Sequence, residues 1–138
     1  MLYVGCIPPS ATKQQICDYH KMFLTDIDAD VSGLMLLQSK SFLNLIEATP
    51  DVINALLRHV QLETENPEAP CMTDVRVVAC TEDCPTRAFV SWSYRSISLP
   101  VEAMGLDGDI VPLSYDIFSK LVALGQRLTD ADLTPVRV

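Results

Sequence analysis

The chain has 138 residues, of which 49% are apolar, and a formal net charge of −8. This length is typical of one domain, so we expect no second domain. The acidic balance argues against nucleic-acid binding, because phosphate contacts need concentrated Lys and Arg. No uncharged apolar run approaches the roughly 20 residues of a membrane span. No basic segment leading into an apolar stretch opens the chain either, so we expect a cytoplasmic protein that does not associate with membranes.

The first predicted elements are a strand and an amphipathic helix. Residues 2–7 form the strand, which ends at a proline pair. Ser10 is the predicted N-cap of a helix over residues 11–24. The apolar face of this helix is predicted from helical spacing and comprises Ile16, Tyr19 and Phe23, with Cys17 and His20 as candidates.

Two apolar runs, residues 33–37 and 42–46, then flank a short polar turn. Both runs are too apolar to leave one face in water, which predicts a hairpin of two central, covered strands. Helices must therefore pack on this sheet. Thr49 is the predicted cap of the second helix, with Pro50 at its first position. Its apolar stripe comprises Val52, Ile53, Leu56, Leu57 and Val60.

The second half of the chain predicts strands over residues 75–79 and 88–92, the latter continued in extended form over 93–99. Ser114 is the predicted cap of a third helix, whose seam comprises Ile117, Leu121, Leu124 and Leu128. The order β-α-β-β-α-β-β is that of a ferredoxin-like α+β fold with an added strand. The predicted core includes Phe42, Leu45, Val52, Leu56, Val77, Phe89 and Trp92.

Four segments, in this order, resemble the BLUF family of flavin-binding blue-light sensors. They are Met1-Leu-Tyr-Val-Gly-Cys6, Val31-Ser-Gly-Leu-Met-Leu36, Phe42-Leu-Asn-Leu-Ile-Glu47 and Arg87-Ala-Phe-Val-Ser-Trp-Ser-Tyr94. The last three resemble that family's (I/V)-T-G-L-L-x, F-x-Q-x-L-E and R-x-F-x-x-W-x-M segments, and the first sits where the family has its first strand. The resemblance implies a BLUF fold over residues 1–100, with two helices on one face of the sheet. Residues 101–138 would form a loop and a C-terminal helix that packs on this domain or on a partner.

The resemblance also implies which residues would surround a flavin. Tyr3 and Trp92 match the family's tyrosine and tryptophan. Asn44 stands at the glutamine position, and its shorter amide is expected to stop short of both the tyrosine hydroxyl and the flavin. Asp26 stands at the asparagine position, and a carboxylate has no proton to donate. We therefore expect no cofactor, with Tyr3 and Trp92 as core aromatics. The alternative is a blue-light sensor that binds FAD.

Three later segments are similar to testis-expressed, BLUF-like proteins of ciliated animals. They are Val75-Arg-Val-Val-Ala79, Cys84-Pro-Thr-Arg-Ala-Phe-Val-Ser-Trp92 and Ser96-Ile-Ser-Leu-Pro100. Those proteins likewise lack the flavin set and are associated with sperm flagella and axonemes. The resemblance implies a non-catalytic structural or interaction subunit of the cytoskeleton, at the doublet microtubule or radial spoke of a cilium or flagellum. Its partners would be other axonemal proteins, with tubulin as one candidate.

The connection between the last strand and the third helix is too apolar for a free loop of its length. Candidate partner-binding residues in this connection and in the helix are Met104, Leu106, Ile110, Val111, Ile117 and Leu121. The same helix seam would also be explained if it covered the sheet of its own domain.

Metal binding and catalysis are not indicated by the sequence. The five cysteines are irregularly spaced, and reduced thiols are expected. The pair Cys80 and Cys84, even with His20 and His59, fits no common zinc-finger spacing. No nucleophile elbow or phosphate-binding loop is present, so we expect neither a metal site nor an enzyme.

Overall fold

The computed structural model describes residues 1–27, 30–66, 68, 70–81, 87–97 and 110–124, with the side chains of residues 26, 27, 121, 123 and 124 left out. Five strands and three helices follow one another in the order β-α-β-β-α-β-β-α, as the sequence predicts. The strands are β1 (Leu2–Cys6), β2 (Ser32–Leu37), β3 (Ser41–Glu47), β4 (Thr73–Ala79) and β5 (Trp92–Ser96). The helices are α1 (Lys13–Ile27), α2 (Pro50–Thr64) and α3 (Val111–Leu124).

The strands form one mixed sheet in the order β4-β1-β3-β2-β5. Strand β1 is antiparallel to both β3 and β4, β2 is antiparallel to β3, and β5 runs parallel to β2. Every residue of β2 and the five inner residues of β3 are buried. The prediction of two central, covered strands is therefore confirmed. Within the described residues, no helix has the length and apolar character needed to cross a bilayer.

Gly33 allows the close pairing of the two central strands. Its φ is +146°, a conformation that residues with a side chain rarely adopt. A Cβ placed on Gly33 would lie 1.9 Å from the carbonyl oxygen of Leu45 on β3. No side chain fits at this point of the hairpin.

Helices cover both faces of the sheet, and each face has its own core. The core under α1 and α2 contains Met1, Tyr3, Ile7, Ile16, Cys17, Phe23, Met35, Leu37, Phe42, Ile46, Leu56, Val60 and Met72. The core under α3 contains Leu2, Val4, Leu34, Leu36, Leu43, Leu45, Ala88, Ile110, Leu113 and Ile117. Alternate residues of each central strand thus serve opposite cores, which is the side-chain period of a strand.

The starts of the helices differ from prediction in their capping residues. Thr12, not Ser10, caps α1: its Oγ1 accepts from the Gln15 amide at 3.2 Å, while Gln15 Oε1 accepts from the Thr12 amide at 2.8 Å. This reciprocal pair satisfies two backbone donors at once. Pro50 begins α2 as predicted, although the Thr49 side chain makes no cap bond.

Helix α3 begins at Val111, three residues before the predicted cap Ser114. The hydroxyl of Ser114 donates instead to the carbonyl of Ile110, one turn earlier, at 3.1 Å. This is the bond that a serine inside a helix makes, so Ser114 lies within the first turn rather than at its start.

The predicted strand over residues 88–92 is wrong, because β5 begins only at Trp92. The Glu47 carboxylate at the end of β3 accepts from the Ala88 amide at 2.7 Å and from the Phe89 amide at 3.0 Å. It also accepts from the hydroxyl of Ser32 at 2.9 Å. The amides of Ala88 and Phe89 therefore donate to a side chain and not to a neighbouring strand.

Two residues of the predicted core lie elsewhere. Val77 is 47% exposed on β4, an edge strand whose pairing with β1 shifts register twice. Val52 is half-buried and belongs to neither core. The remaining five predictions are confirmed: Phe42, Leu45 and Leu56 are buried, while Phe89 and Trp92 are partly buried against the two cores.

Candidate functional site

Three of the four residues at the flavin positions converge on the sheet face covered by α1 and α2. Tyr3 on β1 lies directly opposite Asn44 on β3. Trp92 opens β5, on the other side of β2 from β3. Tyr3 and Asn44 are fully buried, and Trp92 is half-buried. The fourth residue, Asp26, is in α1, and its side chain lies outside the described residues.

The Asn44 amide joins Tyr3 to Trp92. Its Nδ2 donates to the Tyr3 hydroxyl at 2.8 Å, and its Oδ1 accepts from the Trp92 indole N–H at 3.0 Å. The prediction that Asn44 stops short of the tyrosine is therefore wrong. Residues directly opposite on antiparallel strands have Cβ atoms about 5 Å apart, so the short amide reaches the tyrosine hydroxyl.

His20 completes the cluster from α1 and is fully buried. Its Nε2 is hydrogen-bonded to the Tyr3 hydroxyl, and its Nδ1 lies 2.9 Å from the carbonyl oxygen of Ile16. The imidazole stacks on both Tyr3 and Trp92, with ring centroids 6.0 Å apart in each case and interplanar angles of 22° and 17°. Sequence spacing placed His20 on the sheet-facing side of the helix but gave it no part in this site.

The protonation states of His20 and Tyr3 determine which group donates and which accepts in the hydrogen bonds of this cluster. Burial lowers the pKa of His20 to about 4, so its ring is neutral near pH 7. Nδ1 faces a carbonyl acceptor and carries the proton, which leaves Nε2 to accept from Tyr3. Burial raises the pKa of Tyr3 well above its ordinary value, so the phenol stays protonated.

Hydrogen bonds are thus donated in sequence from Trp92 to Asn44, to Tyr3, to His20 and to the Ile16 carbonyl. Consecutive bonds of this kind polarise one another inside a protein. Among the described residues, no buried side-chain nitrogen or oxygen lacks a hydrogen-bond partner. The cluster is therefore a closed polar network.

This network does not fit the flavin that the BLUF resemblance implies. The Tyr3 hydroxyl and both ends of the Asn44 amide are already bonded within the protein. The His20 imidazole is a flat ring that already lies against Tyr3 and Trp92. A flavin ring that contacted Tyr3 and Asn44 would first have to displace His20.

The predicted partner-binding residues fall into three groups. Ile110 and Ile117 are each 1% exposed in the core under α3, so their side chains cover the sheet of their own domain. Val111 is half-buried at the start of α3. The other three, Met104, Leu106 and the side chain of Leu121, lie outside the described residues.

The residues weighed as a zinc set do not come together in the described part of the chain. Both ring nitrogens of His20 are hydrogen-bonded. His59 is exposed on α2 with its ring against Phe23, at a centroid distance of 4.6 Å. Cys84 lies outside the described residues. Within them, no three His, Cys, Asp or Glu side chains group as metal ligands.

The buried neutral imidazole predicts that acid destabilises the protein. The pKa of His20 is about 4 in the folded state, whereas the ordinary pKa of histidine, which applies to the unfolded chain, is 6.5. Below pH 6.5 the unfolded chain binds a proton that the folded chain does not, so stability present above this pH is lost as pH falls towards 4. From about pH 7 to about pH 5 the free energy of unfolding should fall by about 2 kcal/mol through His20 alone.

Denaturant unfolding at these two pH values checks this prediction. The His20→Gln variant should lose most of the difference, since an amide oxygen can still accept from Tyr3 without titrating. The His59→Gln variant makes the same substitution at an exposed histidine of the same chain and is the control for the change of residue. Equal pH dependence in wild type and His20→Gln would contradict the assignment.

Comparison with solved structures identifies the fold. The chain matches BlrP1 of Klebsiella pneumoniae, solved with FMN and cyclic diGMP, at a TM-score of 0.54 and 16% identity, covering 90% of this chain and 34% of that one. It matches BlsA in its photo-activated state at a TM-score of 0.53 and 14% identity, covering 80% and 79%. The dark state of BlrB, a BLUF protein, is a weaker match. Its TM-score is 0.44 at 17% identity, covering 90% of this chain and 89% of that one. At these identities the matches to BlrP1 and BlsA, whose TM-scores exceed 0.5, show a likeness of fold.

A family model gives the more specific result. The model described as testis-expressed protein 47 matches residues 1–134, which is nearly the whole chain. Together with the BLUF-like fold, this agrees with both resemblances found in the sequence. The chain belongs to the testis-expressed protein 47 family.

Proposed function

We propose that this protein is a flavin-free, non-catalytic interaction subunit of the ciliary or flagellar axoneme. The observation that carries the flavin-free part is the position of His20, which closes the polar network between Tyr3, Asn44 and Trp92. The axonemal part is supported by the match to a testis-expressed family and by the resemblance to flagellar proteins. Other axonemal proteins, with tubulin as one candidate, are the proposed partners.

The chemistry of the site supports a non-catalytic role. A general base must be free to take a proton from a substrate. His20 is fully buried, and both of its nitrogens are engaged within the protein. The Tyr3 phenol is equally buried and held protonated. BLUF domains are themselves sensor modules and not catalytic, which supports the proposed non-catalytic role.

The flavin-free state predicts a colourless protein. The full chain, produced in cells supplied with riboflavin and passed through gel filtration, should show no visible flavin absorption band. A flavin-loaded BLUF protein purified in the same way serves as the control. A flavin band that stays with this chain would overturn the proposal and favour the alternative, a blue-light sensor that binds FAD.

The axonemal role is tested by fractionation of sperm. After membranes are extracted with detergent, the protein should remain with the isolated axonemes and be detected there by mass spectrometry. Cross-linking within these axonemes would then identify its neighbours at the doublet microtubule or radial spoke. Recovery in the detergent extract alone would contradict the axonemal role and leave the flavin result unaffected.

A further inference from the structure

Strand β5 lies at one edge of the sheet. On its inner side, the Ser91 carbonyl accepts from the Gly33 amide and the Ile97 amide donates to the Leu37 carbonyl. Alternate residues of a parallel strand direct their backbone groups to the same side. The amide and carbonyl groups of Trp92, Tyr94 and Ser96 therefore point outward. Within the described part of the chain, no strand pairs with this outer edge.

Two lysines of α1 lie over this edge. Lys13 Nζ donates to the Ser96 hydroxyl at 2.8 Å. Lys21 Nζ lies 5.0 Å from the centroid of the Tyr94 ring and 3.4 Å from its hydroxyl. Tyr94 and Ser96 are two positions apart, so both ammonium groups lie on the same face of β5 as α1. The two ammonium groups thus follow one another along the edge, each at one of two alternate residues of β5.

Neither lysine is neutralised by a carboxylate within 4 Å among the described residues. Lys120 and Arg87 differ, since they form ion pairs with Asp116 and Asp30. Asp18, the acidic residue between Lys13 and Lys21 on α1, accepts from Gln14 instead. In a chain with a net charge of −8, the two ammonium groups outnumber the one α1 carboxylate between them, so among the described residues this edge has a local excess of positive charge.

We propose that the outer edge of β5 binds an extended acidic segment of a partner protein as an added strand. Outward backbone groups would pair with the segment, and carboxylates at alternate positions would pair with Lys13 and Lys21. An added strand repeats its side chains on one face about every 7 Å, which matches the spacing of Tyr94 and Ser96. This proposal rests on the proposed interaction role and names the chemical class of its partner.

Charge favours such a segment over a second copy of this chain. Pairing β5 with β5 would bring the lysines of one copy beside those of the other and would join two bodies of charge −8. Like charges directly opposite each other destabilise strand pairing. In strand addition, main-chain bonds supply affinity and side chains supply specificity, and an acidic segment satisfies both here.

Fluorescence anisotropy with the full chain tests the proposal. The probes are a labelled peptide in which Glu alternates with Thr, and the same peptide with Gln for Glu. The acidic peptide should bind, and the Gln peptide should bind at least about fivefold more weakly. Lys13→Gln and Lys21→Gln should each weaken binding about twofold to fivefold, the range of exposed ion pairs. Lys120→Gln makes the same charge change on α3 and should leave binding unaltered.

A second variant tests the backbone part. Ser96→Pro removes one outward amide, and an edge strand tolerates proline on its open side. It should abolish peptide binding while the melting temperature stays close to that of the wild type. If this variant does not fold, the Lys13→Gln/Lys21→Gln double variant decides.

The proposal is overturned if the wild type binds neither peptide, binds both equally, or binds no better than the double lysine variant. A wild-type dimer that forms through this edge would also overturn it. If the peptides do not bind but the protein is found in axonemes, the docking proposal fails and the proposed function still stands. Peptide binding by a protein absent from axonemes would remove only the axonemal role.

Discussion

The Gly33→Ala variant is expected to lose at least about 3 kcal/mol of folding free energy, a large share of the stability of an ordinary domain. The added Cβ would lie 1.9 Å from the Leu45 carbonyl oxygen, and backbone in the middle of a sheet cannot move aside alone. Alanine would also have to adopt a φ near +146°, which is strained for any residue with a side chain. The steric clash and the backbone strain therefore both lower the free energy of unfolding, and their effects add.

The matched control is Gly5→Ala, the same change on the neighbouring strand β1. A Cβ on Gly5 would meet the Phe42 ring at 2.7 Å and Val75 at 3.1 Å, but these are side-chain atoms and not paired backbone, and Gly5 has no strained φ. Its cost should be clearly smaller. Thermal and denaturant unfolding of both variants measure the difference. A melting curve of Gly33→Ala that overlays the wild type would show that the hairpin is not paired as described.

The Leu56→Ala variant should lose about 2–5 kcal/mol, the usual range for a large-to-small change in a core. Leu56 is fully buried and faces the sheet from α2, in the core that contains Tyr3 and Phe42. The change removes apolar contacts and leaves a cavity that the surrounding strands can only partly fill. The midpoint of denaturant unfolding should therefore fall.

Leu62→Ala is the control in the same helix. Leu62 is 62% exposed, so the same change in composition and helix propensity removes almost no buried surface. Its effect should stay within about 0.5 kcal/mol, as for ordinary surface substitutions. If the two leucine variants lost equal stability, α2 would not pack on the sheet through its Leu56 face.

The closed network supports the proposed flavin-free role. A hydrogen-bond relay that responds to light needs at least one group that can exchange one hydrogen-bond partner for another. Here each donor of the Trp92, Asn44, Tyr3 and His20 series has one partner, and the series ends on a backbone carbonyl. A satisfied polar network of this kind favours a single, rigid core.

The sequence determined the parts of the fold that depend on local patterns. Two uninterrupted apolar runs predicted central strands β2 and β3, since such runs leave no face for water. Pro50 marked the start of α2, because proline fits a first helical position. The motif order also predicted the BLUF-like topology, and the fold comparison confirmed it.

Tertiary structure alone decided the contacts of the site and of the loops beside it. The length of the Asn44 side chain suggested a broken contact, but its reach depends on the cross-strand register that sets it opposite Tyr3. His20 carried no motif, and its role arises only because α1 lies over Tyr3 and Trp92. The apolar pattern of residues 88–92 favoured a strand, yet the distant Glu47 carboxylate took the amides that a strand would pair. Local patterns fix which residues avoid water, whereas the partner of each polar group is fixed only when distant segments meet.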